Sequence, residues 1–209
     1  DSFDIGDLST KIVTKSDGST YTAWDVSNVE DMCWLFNHSG YSASEFNIGN
    51  LSNWNVSKVK DMHYMFNQAG YSAGTFNIGN LTNWDVSNVT NMSYMFNEAG
   101  YSADTLNIGN LNNWDVSSVT EMHGMFRQLG YNADSFNIGD ISGWNTSNVI
   151  DMYAMFDQTG YSDTSWSLNL SGWNVDKVIS YTYFNSYNVD KITPPVWVNE
   201  DQGDLTASS

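Results

Sequence analysis

The side chains that could do chemistry recur at intervals of thirty residues. Cys33, His63 and His123 share one column, and thiolate and imidazole groups are common zinc ligands. A second column, two residues earlier, holds Asp31, Asp61, Asn91, Glu121 and Asp151. Two ligands on neighbouring units are too few for zinc, and an acid pair for hydrolysis needs one raised pKa in a cleft. We interpret the first column as surface positions and the second as residues at helix N-termini, and we expect no enzyme.

Calcium is the one ion that the acidic composition would suit, but no calcium-loop motif supports it. The loosest candidates are two groups of acidic residues, Asp1, Asp4 and Asp7, and Glu200, Asp201 and Asp204. We therefore predict no cofactor and no metal site. Serine, histidine and aspartate all occur, but nothing singles out a catalytic triad.

The column at position 34 offers a ligand-binding surface instead. It reads Trp34, Tyr64, Tyr94, Gly124 and Ala154. Three outward aromatic side chains on adjacent units would form a contiguous apolar strip, which often marks an interaction surface. The simpler alternative is that neighbouring helices cover one another through these rings. The sequence leaves both interpretations open.

The elements that position these columns follow from an internal repeat. A tryptophan opens each unit at Trp24, Trp54, Trp84, Trp114 and Trp144, and a sixth copy begins one residue early at Trp173. A fixed period of this length is typical of units that stack to complete a shared core. We predict an N-terminal cap with a partial repeat and an insertion at 1–23, five repeats at 24–172, and a degenerate sixth repeat with a C-terminal cap at 173–209. The N-terminal cap should include a hairpin around Asp17-Gly18.

Each unit divides into two parts with different periods. Alternating apolar and polar residues, as in Phe46-Asn47-Ile48-Gly49, indicate short strands. Apolar residues such as Met62, Met65 and Phe66 follow the spacing of one helix face, and Gly70 fits a left-handed helix stop. We predict an α/β fold: a curved, leucine-rich-repeat-like solenoid with parallel short strands on one side, short helices on the other, and caps at both ends.

Columns that keep one residue type are most simply scaffold. We expect the tryptophan, methionine and phenylalanine columns to form the core, and we also assign the tyrosine column that starts at Tyr41 to the scaffold. Stacked tryptophans could instead form a sugar-binding platform, but each begins a Trp-x-Val strand, which favours burial. The asparagine column that starts at Asn47 should form an internal ladder bonded to the backbone.

The composition limits the partners. Seven Lys and Arg face 24 Asp and Glu, a formal charge of −17, so the chain has no basic stripe for nucleic acid and is disfavoured at anionic membranes. No apolar run approaches the roughly 20 residues of a membrane span. Cys33 is the only cysteine, so no intramolecular disulfide can form. The start at Asp1 rather than Met indicates a processed product or a fragment.

The repeated phrase Trp84-Asp85-Val86-Ser87-Asn88-Val89-Thr90-Asn91-Met92, followed by Met95-Phe96, resembles the hallmark of the BspA-like leucine-rich-repeat surface proteins. The resemblance covers roughly 24–178. It implies a noncatalytic extracellular or cell-surface module that mediates adhesion to, or recognition of, a protein or glycan. The family supplies no binding residues to carry across. The alternative is a structural subunit of an extracellular assembly or filament, with self-association.

Overall fold

The computed structural model describes residues 2–4, 12–14, 16–22 and 24–205. Its regular elements are short. They are β1 Ser2–Asp4, β2 Ile12–Thr14, β3 Thr20–Thr22, β4 Glu45–Asn47, a 3-10 turn Leu51–Asn53, β5 Thr75–Asn77, β6 Thr105–Asn107, β7 Leu168–Asn169 and β8 Ile192–Thr193. Of the calcium candidates, Asp1 and Asp7 lie outside the described residues.

The main sheet is parallel, with strand order β1-β4-β5-β6. Phe46 pairs with Phe76 and Phe76 with Leu106, so neighbouring strands are offset by one thirty-residue unit. Beyond β6 the alignment continues through a single pair, Thr105 with Ser135. β2 and β3 form a separate antiparallel pair that flanks Asp17-Gly18, where the sequence predicts a hairpin.

The predicted α/β solenoid with a row of helices is wrong. The described residues contain no α-helix, and the segment 61–70 that the apolar spacing assigned to a helix consists of turns. The curvature was predicted because packed helices need roughly 8–10 Å whereas neighbouring strands need about 4.8 Å, so without helices that prediction loses its basis.

The backbone bonding of these turns explains why a helix does not form. Alternate amides point to the next unit: Tyr64 N–H donates to the carbonyl of Ser93 at 2.9 Å. The intervening amides close local turns, as Met65 N–H does on the Met62 carbonyl at 3.2 Å. Tyr64 and Gln68 have φ of 55° and 54°, far from the roughly −63° of a helix. We call this arrangement, which covers residues 31–41 and their equivalents in later units, the turn ladder.

The turns bury the apolar columns as completely as helices would. Met62, Met65 and Phe66 are fully buried, because turns closed every three to four residues also bring residues at i, i+3 and i+4 to one side. The phenylalanine rings stack between units, for example Phe66 on Phe96 with centroids 5.5 Å apart. The core is therefore continuous from unit to unit.

The tryptophan column also belongs to the core. This confirms the prediction that the tryptophans pack inside the protein and do not form a sugar-binding platform. The five copies from Trp54 to Trp173 are 3–6% exposed, and Trp84 stacks on Trp114 at 6.4 Å with nearly parallel rings. The indole N–H of Trp84 donates to the Leu51 carbonyl at 2.9 Å. Only the first copy, Trp24, is half exposed.

Two scaffold columns lie at the surface, and for the asparagine column this contradicts the predicted internal ladder. The Asn47 column is exposed rather than internal, although its side chains do bond the backbone: Asn47 Oδ1 accepts the Gly49 N–H at 2.9 Å. The tyrosine column forms a stack at the surface, with Tyr71 on Tyr101 at 4.7 Å. Both columns link units from outside the core, since Asn107 Nδ2 also donates to Asn77 Oδ1 at 3.1 Å.

The C-terminal segment covers the last unit. Trp197 stacks on Tyr181 with centroids 4.3 Å apart and meets Phe184 edge-on at 5.0 Å. The Tyr181 N–H donates to Asp201 Oδ1 at 3.0 Å, so a side chain takes the acceptor role that a further unit would play.

Candidate binding surface

The three aromatic residues predicted to bind a ligand lie together on the turn ladder. Trp34, Tyr64 and Tyr94, called here the aromatic strip, each occupy the left-handed turn position, with φ of 62°, 55° and 55°. Their amides donate to the next unit, which aligns them one above another. Trp34 and Tyr64 stack at 4.2 Å, and Tyr64 and Tyr94 at 4.7 Å.

Because the rings stack, they cover one another's faces, which is what the simpler alternative expected of these residues. The three rings nevertheless form one continuous strip. Trp34 is 49% exposed at one end, whereas Tyr64 and Tyr94 are half-buried. Gly124 ends the strip, because a Cβ there would lie 2.6 Å from Cδ1 of Tyr94. The outer face of Trp34 and the ring edges are thus the accessible parts. Ligand binding by these residues stays a prediction.

Histidines of the adjacent column hold the strip in place. The Trp34 indole N–H donates to His63 Nε2 at 3.1 Å, and His63 Nδ1 lies 2.6 Å from Asp61 Oδ1. An Nε2 that accepts leaves Nδ1 as the N–H of a neutral imidazole, so Nδ1 donates to the carboxylate. The ring of Trp34 is therefore fixed by a bond as well as by stacking.

The second histidine is buried, which corrects its assignment to a surface position. His123 is 1% exposed, its Nε2 lies 2.6 Å from the hydroxyl of Tyr94, and its Nδ1 lies 3.2 Å from Asp151 Oδ2. Buried polar groups need partners of this kind. Gly124 next to it leaves the space that the Tyr94 ring occupies, and this was the one signal in the sequence for the arrangement.

The carboxylate column caps turns rather than helix N-termini, which corrects that prediction. Its members pair in register from unit to unit, at Asp31, Asp61, Asn91, Glu121 and Asp151. Each of four side chains accepts the N–H two residues later, as Asp61 Oδ1 does from His63 at 2.9 Å. Burial, followed by the charge of Asp151, raises the pKa of Glu121.

The acidic C-terminal segment reaches this surface, which the sequence did not predict. Asp204 Oδ1 lies 3.9 Å from His123 Nδ1, and the Ser180 hydroxyl donates to the Gly203 carbonyl at 2.5 Å. Burial raises the pKa of Tyr64 and Tyr94, and the Asp204 carboxylate adds to the effect. A negative charge therefore lies near one end of the aromatic strip.

The thiol of Cys33 is partly exposed and lies among carboxylates. A hydrogen bond to Asp31, with burial and nearby carboxylates, raises the pKa of Cys33 to about 11. In the described ranges, no group of three or more His, Cys, Asp or Glu side chains is placed to hold a metal ion.

A further column, missed by the sequence analysis, forms a polar ladder beside the strip. Asn67 Nδ2 donates to Asn37 Oδ1 and Asn97 Nδ2 to Asn67 Oδ1, both at 2.7 Å. The next members of the column are Arg127 and Asp157, whose Nε and Oδ2 are 3.3 Å apart. These bonds fix the register of the turn ladder from its side chains.

A family model described as "Mycoplasma protein of unknown function, DUF285" matches residues 8–104 and 71–193. The chain belongs to this family. The two matched ranges together span the stacked units described above. No curated protein and no solved structure matches the chain. Across the described part of the chain, no helix has the length and apolar character needed to cross a bilayer.

Proposed function

We propose that the protein is a noncatalytic recognition or adhesion module that works outside the cell and binds a protein or glycan through the face that carries the aromatic strip. The observation that supports this most is the strip itself. Trp34, Tyr64 and Tyr94 are aligned by backbone bonds, stacked, and tied to His63 and His123. A surface that is already ordered loses little side-chain entropy on binding.

The family assignment and the motif support the same role. The DUF285 match is to a Mycoplasma-type family, and the Trp-Asp-Val-Ser-Asn-Val phrase resembles BspA-like surface proteins. The finer BspA-like assignment and the location at the cell surface are part of this proposal. The charge of −17 favours partners that are neutral or basic at the contact.

The test compares the three rings of the aromatic strip with three rings of the surface tyrosine stack. Binding to an array of glycans and of extracellular and cell-surface proteins is measured for the chain, for a variant with Trp34, Tyr64 and Tyr94 changed to alanine, and for a control with Tyr41, Tyr71 and Tyr101 changed to alanine. We expect the strip variant to lose affinity by about thirtyfold or more, as for hot-spot residues, and the control to keep it. Equal affinity of all three proteins would refute the role of the strip.

A second function is favoured by the first unit of the turn ladder. In later units the carbonyls of this segment accept amides of the preceding unit, as Asp61 does from Met32 at 2.9 Å. Trp24, Trp34 and Leu35 are exposed at this same end of the described stack. An exposed ladder end can receive another unit, which would make the protein a structural subunit of an assembly.

Sedimentation velocity at increasing concentration distinguishes the two functions. The structural role predicts a rise in mass with concentration that Leu35→Asp abolishes, because the charge would be buried on association. A monomer at high concentration would reject the structural role and leave the recognition role in place.

A further inference from the structure

A cleft of about 860 Å³ opens between the fourth unit (114–143) and the fifth unit (144–172). Its polar lining includes Asn110, Asn137, Asp140, Ser142, Ser167, Asn169 and Ser171. Phe136 and Trp166 contribute aromatic surface. The volume falls within the roughly 300–1,000 Å³ of small-molecule sites.

The cleft exists because one glycine of the repeat is missing. At the earlier boundaries a glycine lies against an asparagine of the preceding unit, in the pairs Gly79 and Asn50, Gly109 and Asn80, and Gly139 and Asn110. The fifth unit reads Leu168-Asn169-Leu170 where the fourth reads Ile138-Gly139-Asp140-Ile141. Asn169 Oδ1 accepts the N–H of Ser171, just as Asp140 Oδ1 accepts that of Ser142. Asn169 therefore replaces Asp140, and no glycine covers the Asp140 side chain.

The backbone bonds across the boundary change at the same place. An equivalent hydrogen bond crosses each of three boundaries between units, from a leucine N–H to an isoleucine carbonyl. The pairs are Leu51 and Ile78 at 3.2 Å, Leu81 and Ile108 at 3.3 Å, and Leu111 and Ile138 at 2.9 Å. Within the described chain no equivalent bond joins Ile141 to Leu168. The strand Leu168–Asn169 pairs instead with Ile192–Thr193. One wall thus follows the Thr105–Ser135 pair at the edge of the main sheet, whereas the other contains β7, which pairs with β8.

The polar groups of the cleft are fixed by bonds that leave their outer atoms available. Asn137 Oδ1 accepts the Gly139 N–H at 2.7 Å, and Asn169 Oδ1 accepts the Ser171 N–H at 3.1 Å. Each amide nitrogen bonds no residue of the described chain. Two oriented donors, one on each wall, therefore face the cleft together with the carboxylate of Asp140.

The aromatic part of the cleft is also held in place. The Trp166 indole N–H donates to the Gly160 carbonyl at 3.0 Å, and Phe136 lies 4.7 Å from the Trp166 ring. Lys191 Nζ is 5.5 Å from the same ring centroid and donates to the Gly160 carbonyl at 3.0 Å. Trp166 thus presents a fixed apolar surface beside the amides.

We propose that this cleft binds a neutral oligosaccharide. Sugar hydroxyls both donate and accept, which suits paired amides, a carboxylate and serines, and the C–H faces of a sugar pack on aromatic surface. An anionic ligand would meet Asp140 and a chain of charge −17. The cleft is separate from the aromatic strip, so it goes beyond the proposed recognition role and adds a ligand class at a second location.

The test uses a panel of neutral glucose, mannose, galactose and N-acetylhexosamine oligomers, with sulfated and sialylated counterparts, in calorimetry and on an array. The first variant is Asn137→Ala, with Asn47→Ala as its control, since each removes the same turn bond to a glycine but only Asn137 lines the cleft. The second variant inserts one glycine between Leu168 and Asn169, which restores the unit length of the closed boundaries. Thermal unfolding checks that each variant is folded.

We expect a neutral oligomer to bind, Asn137→Ala to weaken it about 3- to 10-fold, and the glycine insertion to abolish it while Asn47→Ala has no effect. Failure of every neutral oligomer to bind, or equal effects of Asn137→Ala and Asn47→Ala, would overturn the proposal. The variant that removes Trp34, Tyr64 and Tyr94 must keep oligosaccharide binding. If that variant loses binding to proteins on the array but keeps oligosaccharide binding, the result bears on the aromatic strip and not on the cleft. The two proposals can therefore fail separately.

Discussion

Gly100→Ala should destabilise the stack because the glycine lies where two units meet. Its φ is +54°, and an added Cβ would lie 2.7 Å from Cβ of Phe76 and 3.2 Å from Cδ1 of Leu106. The left-handed conformation costs roughly 1–2 kcal/mol for a residue with a Cβ, and overpacking adds about 1–3 kcal/mol. Alanine restricts the unfolded chain and returns about 0.4–1 kcal/mol. The net loss of unfolding free energy should be about 1–4.5 kcal/mol.

The assay is urea unfolding followed by tryptophan fluorescence, with Gly74→Ala as the matched control. Nothing lies within 4 Å of a Cβ at Gly74, and its φ is not in the left-handed region. That variant should unfold at the same urea concentration as the parent or a slightly higher one. If Gly100→Ala unfolds at the same urea concentration as Gly74→Ala, the close contact between units is not present and the described packing is refuted.

Three further predictions concern single side chains. Trp84→Phe should lower the unfolding free energy by about 0.5–1.5 kcal/mol more than Trp54→Phe, because the Trp84 indole N–H is bonded whereas the buried Trp54 N–H has no partner among the described residues. Chemical denaturation measures the difference, and equal losses would contradict it. Glu121→Gln should raise the melting temperature at pH 7, because burial raises the pKa of Glu121 in the folded protein. The parent protein therefore loses stability as pH rises from 4.5 through the folded pKa of Glu121, and the advantage of the glutamine variant should vanish below pH 4.5. Asp31→Asn should speed alkylation of Cys33 at pH 8 about tenfold, since the carboxylate raises the thiol pKa; an unchanged rate would oppose this.

The repeat spacing predicted the core but could not distinguish turns from helices. Met92 and Phe96 are buried as expected, because stacking in register forces every apolar column inward. The same spacing fits one helix face and a series of closed turns. The choice is made by amides such as that of Tyr94, which bonds a carbonyl 29 residues away, and a left-handed tyrosine is not a conformation that residue type suggests.

The site was predictable in its alignment and not in its contacts. Trp34, Tyr64 and Tyr94 follow from column position alone, whereas the bond from Tyr94 to His123 depends on the space left by Gly124. The approach of Asp204 depends on how the C-terminal segment folds back, which no repeat column records. For the cleft, the sequence did carry a signal: Trp173 comes one residue early.

The rest of the account depends on the hydrogen bonds between successive units, in which an amide donates to a carbonyl 29 residues later. NMR couplings transmitted through hydrogen bonds test these bonds directly. The structure predicts a coupling between the Tyr64 amide nitrogen and the Ser93 carbonyl carbon, and the equivalent one between Tyr94 and His123. A coupling from the Tyr64 amide to the Lys60 carbonyl, the bond of an α-helix, would contradict the account.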